Sequence, residues 1–219
     1  MALPTVSAAL ERAGVVPTGW AWVADKADVG TRFEYVTDLN LTTERLTEES
    51  VPYRLGAESA VLGDVALTFD RAEPGGRHPV LLLTYAGPYA IPQHMWSKAD
   101  RSRSKRFREA VRHLARLLCE EVDPAYAVVD IEEPVPTPEA LAAGNAQLGG
   151  DAYVSGRMLD RLGGLSDTLD AAFSECAVEQ WRSGSFYSCW LLDGSTGEPD
   201  NDRLRNASAR IGRLLAHEH

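Results

Sequence analysis

His94 is the histidine whose surroundings suit catalysis best: it sits in Tyr89-Ala-Ile-Pro-Gln-His94-Met-Trp96, a proline-bracketed segment that follows an apolar run. Loops held by a rigid scaffold carry binding and catalytic groups more often than core segments do. An imidazole titrates near ~6.5, which suits a general base. Its partner would be a carboxylate, with Asp64, Asp70 and Asp130 as candidates that strands could bring near. The alternating set Asp130, Glu132 and Glu133 at a strand end has the hard oxygen donors that magnesium prefers. A metal site needs carboxylates converging from more than one element, and no second contributor is legible, so no metal or other cofactor is expected. His113 falls at the edge of an apolar helical stripe, and His217 and His219 belong to the C-terminal end. The chain contains no phosphate-cradling glycine loop, dinucleotide fingerprint, HExxH or GxSxG elbow. An acid–base enzyme built on His94 and Asp130 is therefore the second reading, and a binding protein without catalysis is the first.

The residues behind the first reading are acidic and aromatic. The segment from Glu120 to Glu139 holds Glu120, Glu121, Asp123, Asp130, Glu132, Glu133 and Glu139 and no basic residue. The 219-residue chain has 32 acidic against 22 basic groups, a formal net charge of −10. Such a surface repels phosphate backbones, so nucleic acid is not an expected partner. The exception is the short stretch Arg101, Arg103, Lys105, Arg106, Arg108, which reads as a solvated helix face. An acidic surface favours a basic protein partner, because complementary fields speed encounter. Glu120, Glu121, Asp123, Glu132 and Glu133 would steer, and Trp20 and Trp22 would anchor, since tryptophan dominates interface energetics.

The elements that must position these groups follow from periodicity. Val6, Ala9, Leu10 and Ala13 share a helical face that ends at Gly14. Residues 19–24 and 32–37 alternate around a polar turn and read as a hairpin, and residues 65–69 and 80–85 read as a second pair of strands. Thr42 to Glu49 is compatible with a helix. Phe107, Ala110, Val111, Leu114, Leu117 and Leu118 mark the strongest helix, 103–121. Strands are expected at 125–131 and 151–155, a helix at 139–145, and helical turns near 158–162 and 169–173. A hairpin spans 177–192 around Arg-Ser-Gly-Ser, and a last helix spans 202–216 with Asp200 or Asn201 as N-cap. The fold class is α+β, a mainly antiparallel sheet built from hairpins with amphipathic helices packed on it. A single domain over 1–219 is expected, and the repeated order of hairpin then helix fits two similar halves, 1–122 and 123–219.

No stretch approaches the ~18 uncharged apolar residues of a membrane span, and Glu11 and Arg12 interrupt the region where a secretory leader would be apolar. A cytoplasmic protein with no membrane partner is expected. Cys119, Cys176 and Cys189 form no CxxC pair and are odd in number, which points to reduced, buried thiols. Only Lys26, Lys98 and Lys105 among the 22 basic residues are lysine, a bias typical of GC-rich bacterial coding.

Asp151-Ala-Tyr-Val-Ser155 leads into Arg157-Met-Leu-Asp-Arg-Leu162, then into the hairpin at Trp181-Arg-Ser-Gly-Ser-Phe186 and a terminal amphipathic helix. This succession, with the helix Phe107 to Glu121 and the following Asp123-Pro-Ala-Tyr-Ala127, resembles immunity proteins of bacterial polymorphic toxin and type VI secretion systems. The resemblance covers about half the chain and lies in element order and apolar spacing. It implies a cytoplasmic α+β protein that binds and neutralises a cognate toxin without catalysis, and it assigns no functional residue.

Overall fold

A computed structural model describes residues 3–24, 31–35, 53–69, 80–84, 97–130, 136–190 and 197–216. The chain is α+β, with antiparallel sheets built from hairpins, and it divides into two compact units, Met1–Val122 and Asp123–His219. The expected helix at Thr42 to Glu49 lies outside the described residues.

The first unit opens with α1 (Leu3–Arg12), whose Val6, Ala9 and Leu10 recur at three- and four-residue spacing and are buried. Gly14 terminates it in the left-handed region, φ 70°, where a side chain would be strained. Gly14 N–H donates to Glu11 O at 3.0 Å and Val15 N–H to Leu10 O at 2.9 Å. This is the paired terminal bonding of a Schellman motif, and its apolar contact is supplied by buried Leu10 and Val15.

Five strands follow in an antiparallel sheet: β1 (Val16–Ala24), β2 (Thr31–Tyr35), β3 (Tyr53–Ser59), β4 (Gly63–Phe69) and β5 (Val80–Thr84), in the order β2-β1-β3-β4-β5. Four of them correspond to the sequence expectation, and the register sets Trp20 opposite Tyr35 and Trp22 opposite Phe33. The central strand β3 was not expected from the sequence. It alternates Tyr53, Leu55, Ala57 with Arg54, Gly56, Glu58, and the glycine obscures the period.

Helix α2 (Lys98–Val122) closes the first unit and is 25 residues long. It begins five residues before the expected 103 because Ser97 and Asp100 form a capping box. Asp100 N–H donates to the Ser97 hydroxyl at 3.0 Å, and Ser97 N–H donates to Asp100 Oδ2 at 3.4 Å. The Ser97 hydroxyl, its backbone N–H, and the nearby Arg103 and Arg101 hold the Asp100 carboxyl below its ordinary value. A lowered folded-state pKa favours the helical end above the unfolded value of 3.8. That contribution disappears as the pH falls through the folded value. Amide exchange in the first turn of α2 should therefore accelerate at acid pH relative to mid-helix, and Asp100→Asn should flatten the dependence. A first turn whose relative protection ignores both changes would remove the capping role. Downstream, Phe107, Leu114 and Cys119 are buried, and Arg12 of α1 reaches Glu121 at 2.6 Å.

The second unit contains β6 (Tyr126–Val129), α3 (Pro138–Ala142), β7 (Asp151–Ser155), α4 (Gly156–Arg161), α5 (Leu165–Ala172), β8 (Ala177–Trp181), β9 (Gly184–Ser188) and α6 (Asn201–Ala216). Its antiparallel sheet has the order β6-β7-β9-β8. Every residue of β7 is buried. Ala152, Val154 and Tyr187 share one face with a core of Leu141, Leu169, Phe173, Leu204 and Ile211 from the helices. Tyr153, Phe186 and Trp181 occupy the other face, and Asp151 lies there too, accepting a hydrogen bond from the Ser188 hydroxyl opposite. Asp200 caps α6 as expected: its Oδ1 accepts from Asp202 N–H at 3.1 Å and Arg203 N–H at 3.2 Å.

One expectation is overturned. Cys176 and Cys189 are joined by a disulfide, and only Cys119 is a free, buried thiol. The two cysteines flank the β8–β9 hairpin one position outside the pair Ala177 and Ser188, so cross-strand geometry brings together thiols that sequence spacing leaves unrelated.

Candidate functional site

Three of the carboxylates assigned to partner steering are engaged by arginines of their own unit. Glu120 lies on α2 with its carboxylate 2.9 Å from Arg116 one turn earlier. Glu121 is held by Arg12 of α1. Asp123 begins the second unit with φ 46° and faces Arg157 at 3.4 Å, while the same guanidinium donates to the Asp123 carbonyl. Each pair is locally neutral, and exposed pairs of this kind contribute at most about 1 kcal/mol to stability. Asp130 is exposed just beyond β6, and its carboxylate occupies the space that a Cβ on Gly149 would take, 2.8 Å away. Trp20 and Trp22 lie in β1. His94, Glu132 and Glu133 lie outside the described residues. Glu120 and Glu121 lie side by side near the end of α2, and the other described members of this set lie outside that helix.

The charge divides unevenly between the two units. The first unit, 1–122, holds 16 acidic and 15 basic groups, and the second, 123–219, holds 16 acidic and 7 basic groups. Almost the whole excess of −10 therefore belongs to the second unit. Several of its arginines serve the unit's own architecture. Arg210 donates to Gly163 O at 2.6 Å before α5, and Arg203 donates to Ala171 O at 3.3 Å in its last turn, where a cation complements the helix dipole. Arg203 also faces Asp200, Arg205 faces Asp202, and Arg157 faces Asp123.

Among the acidic residues left exposed and without an ion pair to another described residue are Asp160 of α4, Asp167 and Asp170 of α5, and Glu175 in the turn that follows. Asp167 and Asp170 are three residues apart and so project from neighbouring positions on one helix. Burial, and after it the charge of Asp170, push the Tyr187 hydroxyl up to about 12, against the lowering effect of Ser166 and Ser185. Along the chain these four are less conspicuous than the uninterrupted run 120–139, because they are spread over sixteen positions and Arg161 falls among them.

A concavity lies between α3 and α6. It is an open groove of about 360 Å³ with Ala142, Ala143 and Ala209 in its lining and the paired Asp202 and Arg205 beside them. Among the described residues no group of three or more histidine, cysteine or acidic side chains is placed to hold a metal ion, and no helix is long and apolar enough to cross a membrane. Comparison with known proteins finds no matching family model, no matching curated protein and no matching solved structure.

Proposed function

We propose that this chain is a non-enzymatic binding protein that docks a basic protein partner, most concretely an immunity-type inhibitor that neutralises a cognate toxin. The observation that carries this reading is the segregation of charge: the second unit holds 16 acidic against 7 basic groups, with Asp160, Asp167, Asp170 and Glu175 exposed and unneutralised. The resemblance to immunity proteins supports the narrower wording. The docking carboxylates are those of α4, α5 and the following turn, since Glu120, Glu121 and Asp123 already have arginine partners. Unpaired surface charge raises the rate of encounter with a basic surface and fixes its orientation, while the bulk of the affinity comes from apolar anchors in the contact.

The test is a salt series on the complex with a basic partner protein. Raising ionic strength from about 0.05 to about 0.5 M shortens the Debye length several-fold, and the association rate should fall at least tenfold. Asp167→Lys combined with Asp170→Lys should slow association roughly tenfold at low salt with the circular dichroism unchanged. An association rate indifferent to both salt and the double substitution rules the proposal out.

A further inference from the structure

The disulfide stands at a junction that nothing in the docking proposal uses. Cys176 is the last residue of the turn leaving α5: Phe173 N–H donates to Leu169 O at 2.8 Å, and Cys176 N–H donates to Phe173 O at 2.9 Å. Cys189 lies beyond β9, an interior strand of the sheet, and its N–H donates to Gly150 O at 3.0 Å. The Cα atoms are 4.6 Å apart, the approach of facing residues in adjacent antiparallel strands, so the bond spans the sheet without moving either backbone. It therefore fastens the exit of α5 to the centre of the sheet.

The two sulfurs differ in access. Cys189 is 4% exposed, whereas Cys176 is half-buried, covered in part by Gly197, where an added Cβ would lie 3.4 Å from Cys176 Sγ. Cys176 is thus the more open of the two residues, and unequal access of this kind gives thiol–disulfide exchange an ordered path.

We propose that Cys176 and Cys189 form a reversible redox site whose co-substrate is a small-molecule disulfide, and that its state sets how firmly α5 is held on the sheet. In the oxidising direction Cys176 thiolate attacks the small disulfide, forming a mixed disulfide and releasing one small thiolate. Cys189 thiolate then attacks Cys176 Sγ, forming the protein disulfide and releasing the second. One small disulfide is reduced to two thiols, which take up the two protons the cysteines lose. The site stands on the hairpin geometry alone, and only its consequence for a docked partner, through Asp167 and Asp170 on α5, rests on the function proposed above.

The measurements need no partner. The full chain is equilibrated in glutathione buffers from fully oxidised to fully reduced, then denatured and alkylated without reductant. The mass should move from one adduct, at Cys119, to three, and return when the buffer is reversed. In the reduced form, amides of 165–176 should exchange about tenfold faster, and the melting temperature should fall by roughly 10 °C. The double variant Cys176→Ser, Cys189→Ser should match the reduced form in both buffers, and if it does not fold the wild-type series still decides. Three adducts at every ratio, one adduct at every ratio, or exchange in α5 independent of the adduct count each overturn the proposal.

Discussion

Gly212→Ala should destabilise the second unit by about 2 kcal/mol, even though alanine is the better helix former by roughly 1 kcal/mol. Gly212 lies in the middle of α6, between the core residues Ile211 and Leu215. An added Cβ there would lie 2.3 Å from Ala142 N, 2.6 Å from Pro138 O and 2.7 Å from Leu141 Cβ. Two of these atoms are backbone, so no rotamer change relieves the overlap, and α3 must move off α6. Its retreat would open the core around Leu141, which is fully buried, and overlap of this kind costs 1–3 kcal/mol or more, as is typical of overpacking. The steric term therefore exceeds the propensity term. Valine loses the propensity gain and adds two methyls, so Gly212→Val should cost more, about 4 kcal/mol. Urea midpoints of the two variants, with exposed Arg213→Ala as the control near zero, provide the measurement. A Gly212→Ala variant that gains stability would mean that α3 yields without cost and that the close contact of the two helices contributes nothing.

The same pair of helices shows why the sequence is only partly legible. The terminal helix was expected at 202–216 and is found at Asn201–Ala216, because its apolar residues repeat at helical spacing and Asp200 supplies a local cap. The strand Asp151–Ser155 and the hairpin around Arg182 and Ser183 were equally readable, since alternation and turn chemistry act within a few residues. What was missed depends on distant parts of the chain. Strand β3 is central because β1 and β4 flank it, while its own composition, with Gly56, Arg54 and Glu58, reads as irregular. The disulfide follows from strand register, and odd cysteine arithmetic pointed away from it. The acidic segment 120–139 looked unopposed in sequence, yet Glu121 meets Arg12 from the far end of its unit and Asp123 meets Arg157. Charge counted along a chain gives the total reliably and the exposed remainder poorly, because pairing is a property of the folded surface.

Trp181→Ala should cost the second unit about 3–5 kcal/mol, whereas Trp181→Phe should stay within about 1 kcal/mol of the parent. The indole is 5% exposed and stacks on two rings: Phe186 at 4.5 Å with planes 8° apart, and Tyr153 at 5.6 Å with planes 21° apart. Removing it deletes both ring contacts, each worth about 0.5–1.5 kcal/mol beyond the area buried, and leaves a cavity between β7, β8 and β9. The indole N–H makes no hydrogen bond among the described residues, and leaving a buried donor unpaired costs about 1–3 kcal/mol. Phenylalanine removes that donor while keeping a ring in the stack. Its smaller area and the relief of the orphan N–H oppose one another and nearly cancel. Two opposed terms of similar size make the contrast between the variants more informative than either value alone. Denaturant midpoints followed by far-ultraviolet circular dichroism measure both. If Trp181→Phe proves as damaging as Trp181→Ala, the indole N–H has a partner in the folded protein and the stack is not what holds β8 to the sheet.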